Sequence, residues 1–142
     1  MKYEILTCTR EDYDYIGDML AQYNLSRMPA EGESNCVAAM FGRKMTDVDG
    51  NTIAGCLGVR TVWGTAEVSD LWVEERYRSQ GLGSQLLLEI ELEAKKKGCT
   101  IIQLDTFDWQ AKDFYEKKGY SVFGILEDCP MGHCRYYMKK AL

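Results

Sequence analysis

The segment Arg78-Ser79-Gln80-Gly81-Leu82-Gly83 contains residue types that could hold a phosphate group. Its two glycines let the backbone approach a ligand closely, and the helix predicted from Gly81 offers unpaired N–H groups and a positive dipole end. No Gly-Lys-Ser/Thr of a P-loop follows, and Leu86 stands where a dinucleotide fold has its third glycine. The segment therefore favours a phosphate-bearing cofactor of another kind. A purely structural strand-to-helix turn fits the two glycines alone equally well.

The cysteines and the single histidine suggest a second kind of chemistry. Cys129, His133 and Cys134 lie close together, but zinc usually takes four ligands as two close pairs, and the sequence has no second pair. Adjacent residues of a strand point to opposite faces, which argues against His133 and Cys134 as a base and nucleophile. We expect no metal site and reduced, mostly buried thiols, since the six cysteines are widely scattered.

The composition limits the classes of protein. The chain has 142 residues, 46% of them hydrophobic and 27% charged, as expected for one globular domain over residues 1–142. A formal charge of −5 disfavours nucleic acid and anionic membrane surfaces as partners. No apolar run approaches the ~18 residues of a membrane helix, and the N-terminus has no secretory apolar region. These observations predict a cytoplasmic protein without a nucleic-acid or membrane partner.

Hydrophobic periodicity places the phosphate-binding segment between a strand and a helix. Alternating or continuous apolar runs predict strands at Lys2–Thr7, Cys36–Phe41, Thr52–Val62, Ala66–Val73, Thr100–Thr106, Tyr120–Leu126 and Cys134–Lys139. Helices are predicted after the capping residue Thr9, over Gly81–Lys97 and over Gln110–Lys118. The Asp-Gly step at Asp49-Gly50 predicts a hairpin between the second and third strands. This order predicts an α/β (α+β) fold with several antiparallel strands.

Two longer motifs connect these elements to a family. The stretch Glu67–Leu87 resembles motif A of the GNAT superfamily of N-acetyltransferases, whose signature is Arg/Gln-x-x-Gly-x-Gly/Ala. The stretch Ala111–Tyr120 resembles motif B, Ala-x-x-Phe-Tyr-x-Lys-x-Gly-Phe/Tyr. The chain departs from the pattern at Asp108, where many members carry Asn. The resemblance implies a mixed, mostly antiparallel sheet that is flanked by helices and splayed between its fourth and fifth strands.

The resemblance also implies acetyl-CoA as co-substrate, with no metal. Its pyrophosphate would lie on backbone N–H groups, and its pantetheine arm would pair with the fourth strand like an extra strand. The implied phosphate-binding residues are Arg78, Ser79, Gln80, Gly81, Leu82, Gly83 and Ser84, and the strand residues are Leu71, Trp72 and Val73. A primary amine would attack the thioester directly in a ternary complex, without an acyl-enzyme.

Four side chains are candidates for proton transfer or acceptor binding. Tyr115 is the candidate general acid for the departing thiolate, against the alternative of a core aromatic residue. The resemblance implies Glu67 as the candidate base, since some GNAT members carry a catalytic Glu here and regular alternation places it on the same face as Leu71 and Val73. Asp70, which points the other way, is the second choice for the base. His133, the only histidine, could contact the substrate or act as base, and a surface histidine without such a role fits equally well.

The sequence leaves the acceptor and the activity open. A small-molecule amine or a lysine side chain fits, and the acidic balance favours a cationic amine. A catalytically silent domain that binds or senses acetyl-CoA is the alternative to the enzyme. The final strands could also pair two copies into a homodimer.

Overall fold

The structure, a computed structural model, describes residues 3–28 and 37–142 and divides the chain into two compact units, residues 1–34 and 35–142. The first unit contains helix α1 (Arg10–Arg27). Thr9 caps this helix with Asp12, whose carboxylate accepts hydrogen bonds from the Thr9 backbone N–H (2.6 Å) and hydroxyl (2.8 Å). The predicted cap is therefore confirmed.

The strand predicted at Lys2–Thr7 is wrong for the residues that can be assessed. Residues 3–9 adopt no regular secondary structure, and Lys2 lies outside the described residues. A strand needs a neighbouring backbone for its hydrogen bonds, and no strand of the same unit lies among its described residues. Consequently, the strands at Ala66–Val73 and Ile101–Phe107, which the sequence predicts as fourth and fifth, are the third and fourth strands of the structure.

The second unit is built on one six-stranded sheet among the described residues. The strands are β1 (Ala39–Thr46), β2 (Thr52–Arg60), β3 (Ala66–Val73), β4 (Ile101–Phe107), β5 (Ser121–Leu126) and β6 (Arg135–Ala141). Their order across the sheet is β1-β2-β3-β4-β6-β5. All neighbouring pairs are antiparallel except β3 and β4, which are parallel. The mixed, mostly antiparallel sheet expected from the sequence is confirmed.

The β1–β2 hairpin forms as its turn residues predict. Gly50 has a φ of 85°, a backbone conformation that glycine adopts without strain. The Asp47 side chain accepts hydrogen bonds from the backbone N–H groups of Asp49 (3.0 Å) and Asn51 (2.9 Å). These bonds and the two flanking strands fix the register, in which Met45 lies opposite Ala54. Cys36, at the start of the predicted first strand of this hairpin, lies outside the described residues.

Two helices and a short turn complete the unit. A 3₁₀ turn (Glu75–Tyr77) follows β3, helix α2 (Leu82–Lys96) follows it, and the short helix α3 (Lys112–Lys117) follows β4. Leu86, Ile90 and Ala94 recur every four residues on α2 and are almost fully buried. They pack in one core with apolar residues from the sheet, including Ala54, Cys56, Val68, Ile102 and Met138.

The parallel pair β3 and β4 opens toward its carboxyl end. The two strands share the register pairs Ala66–Ile102 and Glu67–Gln103. From Val68 onward no register pair joins them among the residues that the structure describes. One edge of β3 is therefore free of a neighbouring strand, and the predicted splay is confirmed at this place in the sheet.

Candidate functional site

A β-bulge in β3 changes which side chains share a face. Leu57 lies opposite Asp70 and Gly58 lies opposite Val68, so Ser69 is an extra residue in β3. The bulge places Leu71 and Val73 on the core face with Val68, and Glu67 on the other face with Asp70. The predicted parity of Glu67 with Leu71 and Val73 is therefore wrong, because Ser69 does not take part in the alternation.

The free edge of β3 presents backbone groups to the opening. The backbone N–H of Glu74 donates to the Ile53 carbonyl (2.9 Å), while Ala54 lies opposite Val73 in the register. In an antiparallel ladder this arrangement turns the backbone groups of Val73 and Leu71 away from β2. They face the side where β4 has separated, and the backbone groups of Trp72 face β2. The carbonyl of Val73 accepts a hydrogen bond from Arg78 Nε (2.9 Å).

The segment that joins β3 to α2 has an unusual backbone. Gly81 is the N-cap residue of α2 and has a φ of 82°, and Ser79 has a φ of 61° although it is not glycine. The hydrogen bond from the Gln85 N–H to the Gly81 carbonyl (3.1 Å) is the first of the helix. The N–H groups of Leu82, Gly83 and Ser84 therefore have no acceptor within α2. This arrangement presents donors and a helix dipole to an anion.

Two neighbouring cavities occupy the opening. The cleft cavity, about 520 Å³, lies between β3 and the residues that follow β4, and its wall includes Asp70, Leu71, Trp72, Asp105, Trp109 and Tyr115. The loop cavity, about 610 Å³, is lined by Ser79, Gly81, Gly83, Ser84, Phe114 and Tyr115, among others. Both are bordered by Leu71, Val73, Arg78, Gln110, Ala111 and Tyr115. A long ligand could thus extend from the loop into the cleft.

Tyr115 lies at the junction of the two cavities. Tyr115 is 7% exposed, and its ring makes edge contacts with Phe114 (5.1 Å between centroids) and Tyr120 (5.6 Å). Burial, with the nearby charges of Cys56 and Asp105, raises the pKa of Tyr115 to about 12. The phenol therefore keeps its proton at neutral pH and borders the cleft, as a proton donor must.

The cleft cavity has an acidic and aromatic wall. Asp70 from β3 and Asp105 from β4 both line it, together with the rings of Trp72 and Trp109. Asp105 accepts a hydrogen bond from Arg135 Nε (2.8 Å), which is the main reason that the pKa of Arg135 is raised. Asp70 has no hydrogen-bonding or ionic partner among the described residues, so its carboxylate is available to a ligand. Sequence reasoning missed Asp105 and Trp109, because no motif includes them.

His133 is not among the described residues that line the cleft, but it contacts the ring of Trp109, which does. Its Nδ1 lies 3.0 Å from Asp108 Oδ1, and its ring meets that of Trp109 edge-on at 4.9 Å. Asp108 Oδ2 accepts the backbone N–H of Cys134 (3.0 Å). Burial alone would raise the pKa of Asp108, but the hydrogen bonds from Cys134 and His133 outweigh it and lower that pKa. Trp109 also stacks on Phe107 at 4.5 Å, so two rings hold it.

The predicted site residues therefore divide into two groups. Residues Leu71–Val73, Arg78, Ser79, Gly81–Ser84 and Tyr115 border one or both cavities, whereas Glu67, Gln80 and His133 are not among the described residues that do so. The side chain of Gln80 instead donates from Nε2 to the Arg76 carbonyl (3.3 Å). The described residues contain no group of three or more His, Cys, Asp or Glu side chains that could hold a metal ion.

Comparison with known proteins assigns the family. The model of the acetyltransferase (GNAT) family matches residues 4–120. The chain belongs to the GNAT acetyltransferase family. The blasticidin-S acetyltransferase of Streptomyces morookaense is 35% identical over 91 residues, which cover 63% of this chain and 67% of that protein. An acetyltransferase of Agrobacterium fabrum is 33% identical over 125 residues, 88% of this chain and 87% of that protein.

The fold of this GNAT acetyltransferase agrees with that assignment. The crystal structure of an acetyltransferase from Bacillus cereus is 36% identical and superimposes with a TM-score of 0.91, over 99% of this chain and 98% of that one. The protein is accordingly an enzyme that transfers acetyl groups. Within the residues that the structure describes, no helix is long and apolar enough to span a membrane.

Proposed function

We propose that this GNAT acetyltransferase moves the acetyl group of acetyl-CoA directly to a primary amine of a small cationic molecule or a lysine side chain. The observation that carries the proposal is the continuity of the two cavities. The loop cavity offers N–H donors for a pyrophosphate, and the cleft cavity continues from it along the free edge of β3. A cofactor with phosphates at one end and a thioester at the other matches this layout.

The backbone supports the binding of such a cofactor. The N–H groups of Leu82, Gly83 and Ser84 would donate to its phosphates at the start of α2. The free edge of β3 at Leu71 and Val73 would pair with the pantetheine amides as an added strand does. The N–H of Leu71 is our candidate to polarise the thioester carbonyl, since it faces the opening and needs no side chain.

Tyr115 would supply the proton that the departing thiolate needs. The phenol borders both cavities, and a pKa raised to about 12 keeps it protonated before the reaction. Among the described residues, its hydroxyl has no hydrogen-bond partner, so the proton is not committed elsewhere.

The acceptor would lie in the cleft cavity. The free carboxylate of Asp70 attracts a positively charged amine, and the rings of Trp72 and Trp109 can contact its cationic or apolar parts. Asp70 also replaces Glu67 as our preferred base, acting on the amine directly or through water, because Asp70 lines the cleft. His133 would contribute indirectly, by holding the ring of Trp109.

An amine-panel assay that measures thiol release from acetyl-CoA tests this function. The panel contains blasticidin S, a polyamine, an aminoglycoside and a lysine peptide, each with its N-acetylated form as the matched control. We expect release with at least one cationic amine and none with its acetylated form. Binding of acetyl-CoA without release on any of these amines would contradict the proposed class of acceptor. The cytoplasmic location and the homodimer stay predictions. Sedimentation measures the oligomeric state and so tests the homodimer.

A further inference from the structure

The side chain of Gln110 folds back onto the end of β4. Its Oε1 accepts hydrogen bonds from the backbone N–H of Phe107 (2.8 Å) and from the hydroxyl of Thr106 (3.3 Å). A backbone N–H can only donate, so the amide atom that faces Phe107 must be the oxygen. The NH₂ group of Gln110 therefore points away from the strand end.

Thr106 fixes the position of the Gln110 side-chain amide. It is 2% exposed, and its hydroxyl oxygen also accepts the backbone N–H of Ala111 (3.3 Å), just before α3. The amide oxygen of Gln110 is thus connected to both β4 and the start of α3. These bonds orient the amide before any ligand arrives, which lowers the entropic cost of using it.

Gln110 lies where the two cavities meet. Gln110 lines the cleft cavity and the loop cavity, and its Nε2 has no hydrogen-bond partner among the described residues. A neutral group with two N–H donors suits a carbonyl oxygen. It lacks the charge that would favour a phosphate or an ammonium group.

The neighbouring Asp108 cannot take this role. Both of its oxygens accept hydrogen bonds, from His133 and from the Cys134 N–H, and an ionised carboxylate has no hydrogen to donate. On the β4 side of the opening, across from the free edge of β3, Gln110 is therefore the residue whose side-chain amide can donate a hydrogen bond.

We propose that the Gln110 amide donates a hydrogen bond to an amide carbonyl of the pantetheine arm of CoA, at the junction of the two cavities. This inference rests on the proposed function, because it assumes that the arm passes from the loop to the cleft. Gln110 would then hold the arm from the β4 side while Leu71 and Val73 pair with it from β3.

The variant Gln110→Glu isolates the donor. Glutamate keeps an oxygen for Phe107 and Thr106 but replaces the NH₂ group with a second acceptor. Gln110→Met, which is neutral and similar in length, is the second variant. Calorimetry measures the Kd of each for CoA and for adenosine 3′,5′-bisphosphate, which lacks the pantetheine arm, and thermal melting confirms the fold.

We expect Gln110→Met to bind CoA about tenfold more weakly, since one hydrogen bond is lost, and Gln110→Glu to bind it at least as weakly, since an acceptor then faces the carbonyl oxygen. Both variants should bind the bisphosphate as the wild type does. Unchanged CoA affinity in both variants would overturn the inference. An equal loss of affinity for CoA and for the bisphosphate would also overturn the inference, because the effect would then lie in the part that the two ligands share and not at the pantetheine arm. If the wild-type protein binds no CoA, the proposed function fails. If the wild type binds CoA and both variants bind it equally well, only the role of Gln110 is rejected.

Discussion

Glu67 and Asp70 present their side chains to the same face of β3, although three positions separate them along the strand. Regular alternation would put them on opposite faces, and the extra residue Ser69 reverses the pattern. Of the two, Asp70 lines the cleft cavity and Glu67 does not, among the residues described. The lining of the cleft cavity therefore favours Asp70 over Glu67 as the candidate base.

The first prediction compares these two carboxylates. Asp70→Asn should lower kcat/KM for a cationic amine by about 10²-fold, because it removes both the negative charge and the candidate base. Glu67→Gln is the matched control, with an expected change of less than about threefold. Steady-state kinetics with saturating acetyl-CoA measure both. A larger loss for Glu67→Gln than for Asp70→Asn would contradict the assignment.

The second prediction concerns Tyr115 as proton donor. Tyr115→Phe keeps the ring and its contacts with Phe114 and Tyr120 but removes the hydroxyl. The single-turnover rate should fall by about 10²-fold, while the melting temperature and the Kd of CoA stay nearly unchanged. Single-turnover conditions are needed because product release could otherwise hide the effect. A wild-type rate would identify Tyr115 as a core aromatic residue.

The third prediction concerns the ionisation of the same residue. The pKa of Tyr115 is raised to about 12, above the value of about 10 for an unfolded tyrosine, so folding favours the protonated phenol. This contribution to stability is fully present below about pH 10 and is lost as the pH rises through about 12. The absorbance titration of wild type minus Tyr115→Phe should show one tyrosine ionising near pH 12. A transition near pH 10 would be inconsistent with the buried position.

The fourth prediction tests the loop as a phosphate site. Gly83→Glu adds a side chain and a negative charge where the N–H groups of α2 begin, and its Cβ would meet Phe114 and Val73 at an ordinary 3.7 Å. The increase in melting temperature that acetyl-CoA produces should therefore disappear. Gly98→Glu, at the other end of α2, carries the same charge and is the control. It should lower the melting temperature, because its φ is +80°, but keep the cofactor-induced increase.

The fifth prediction concerns the buried carboxylate of Glu91. Glu91, 8% exposed, accepts hydrogen bonds from the Tyr120 hydroxyl (3.0 Å) and from Lys140 Nζ (2.8 Å). Glu91→Leu leaves the buried hydroxyl of Tyr120 without that acceptor and should lower the free energy of unfolding by about 2 kcal/mol. Adding Tyr120→Phe should recover part of the loss. Urea unfolding measures each variant, and additive losses in the double variant would contradict the coupling.

Local patterns in the sequence determined most of the secondary structure. The apolar pattern predicts a strand at Ala66–Val73, and β3 has the same bounds. The helix α2 lies within the predicted Gly81–Lys97. Such periods of 2 and 3.6 residues arise from neighbours along the chain, so they can be read from the sequence. The two motifs also identified the family, and with it the splayed sheet.

The tertiary structure alone decided which side chains share the site. The bulge at Ser69 is a relation between β2 and β3, and in the sequence it shows only as a break in the apolar alternation between Val68 and Leu71. Likewise, Asp108 meets His133 across 25 positions, a pairing that depends on where β4 ends beside the residues before β6. Faces, cleft walls and hydrogen-bond partners depend on contacts between distant segments, and these form only when the sheet is assembled.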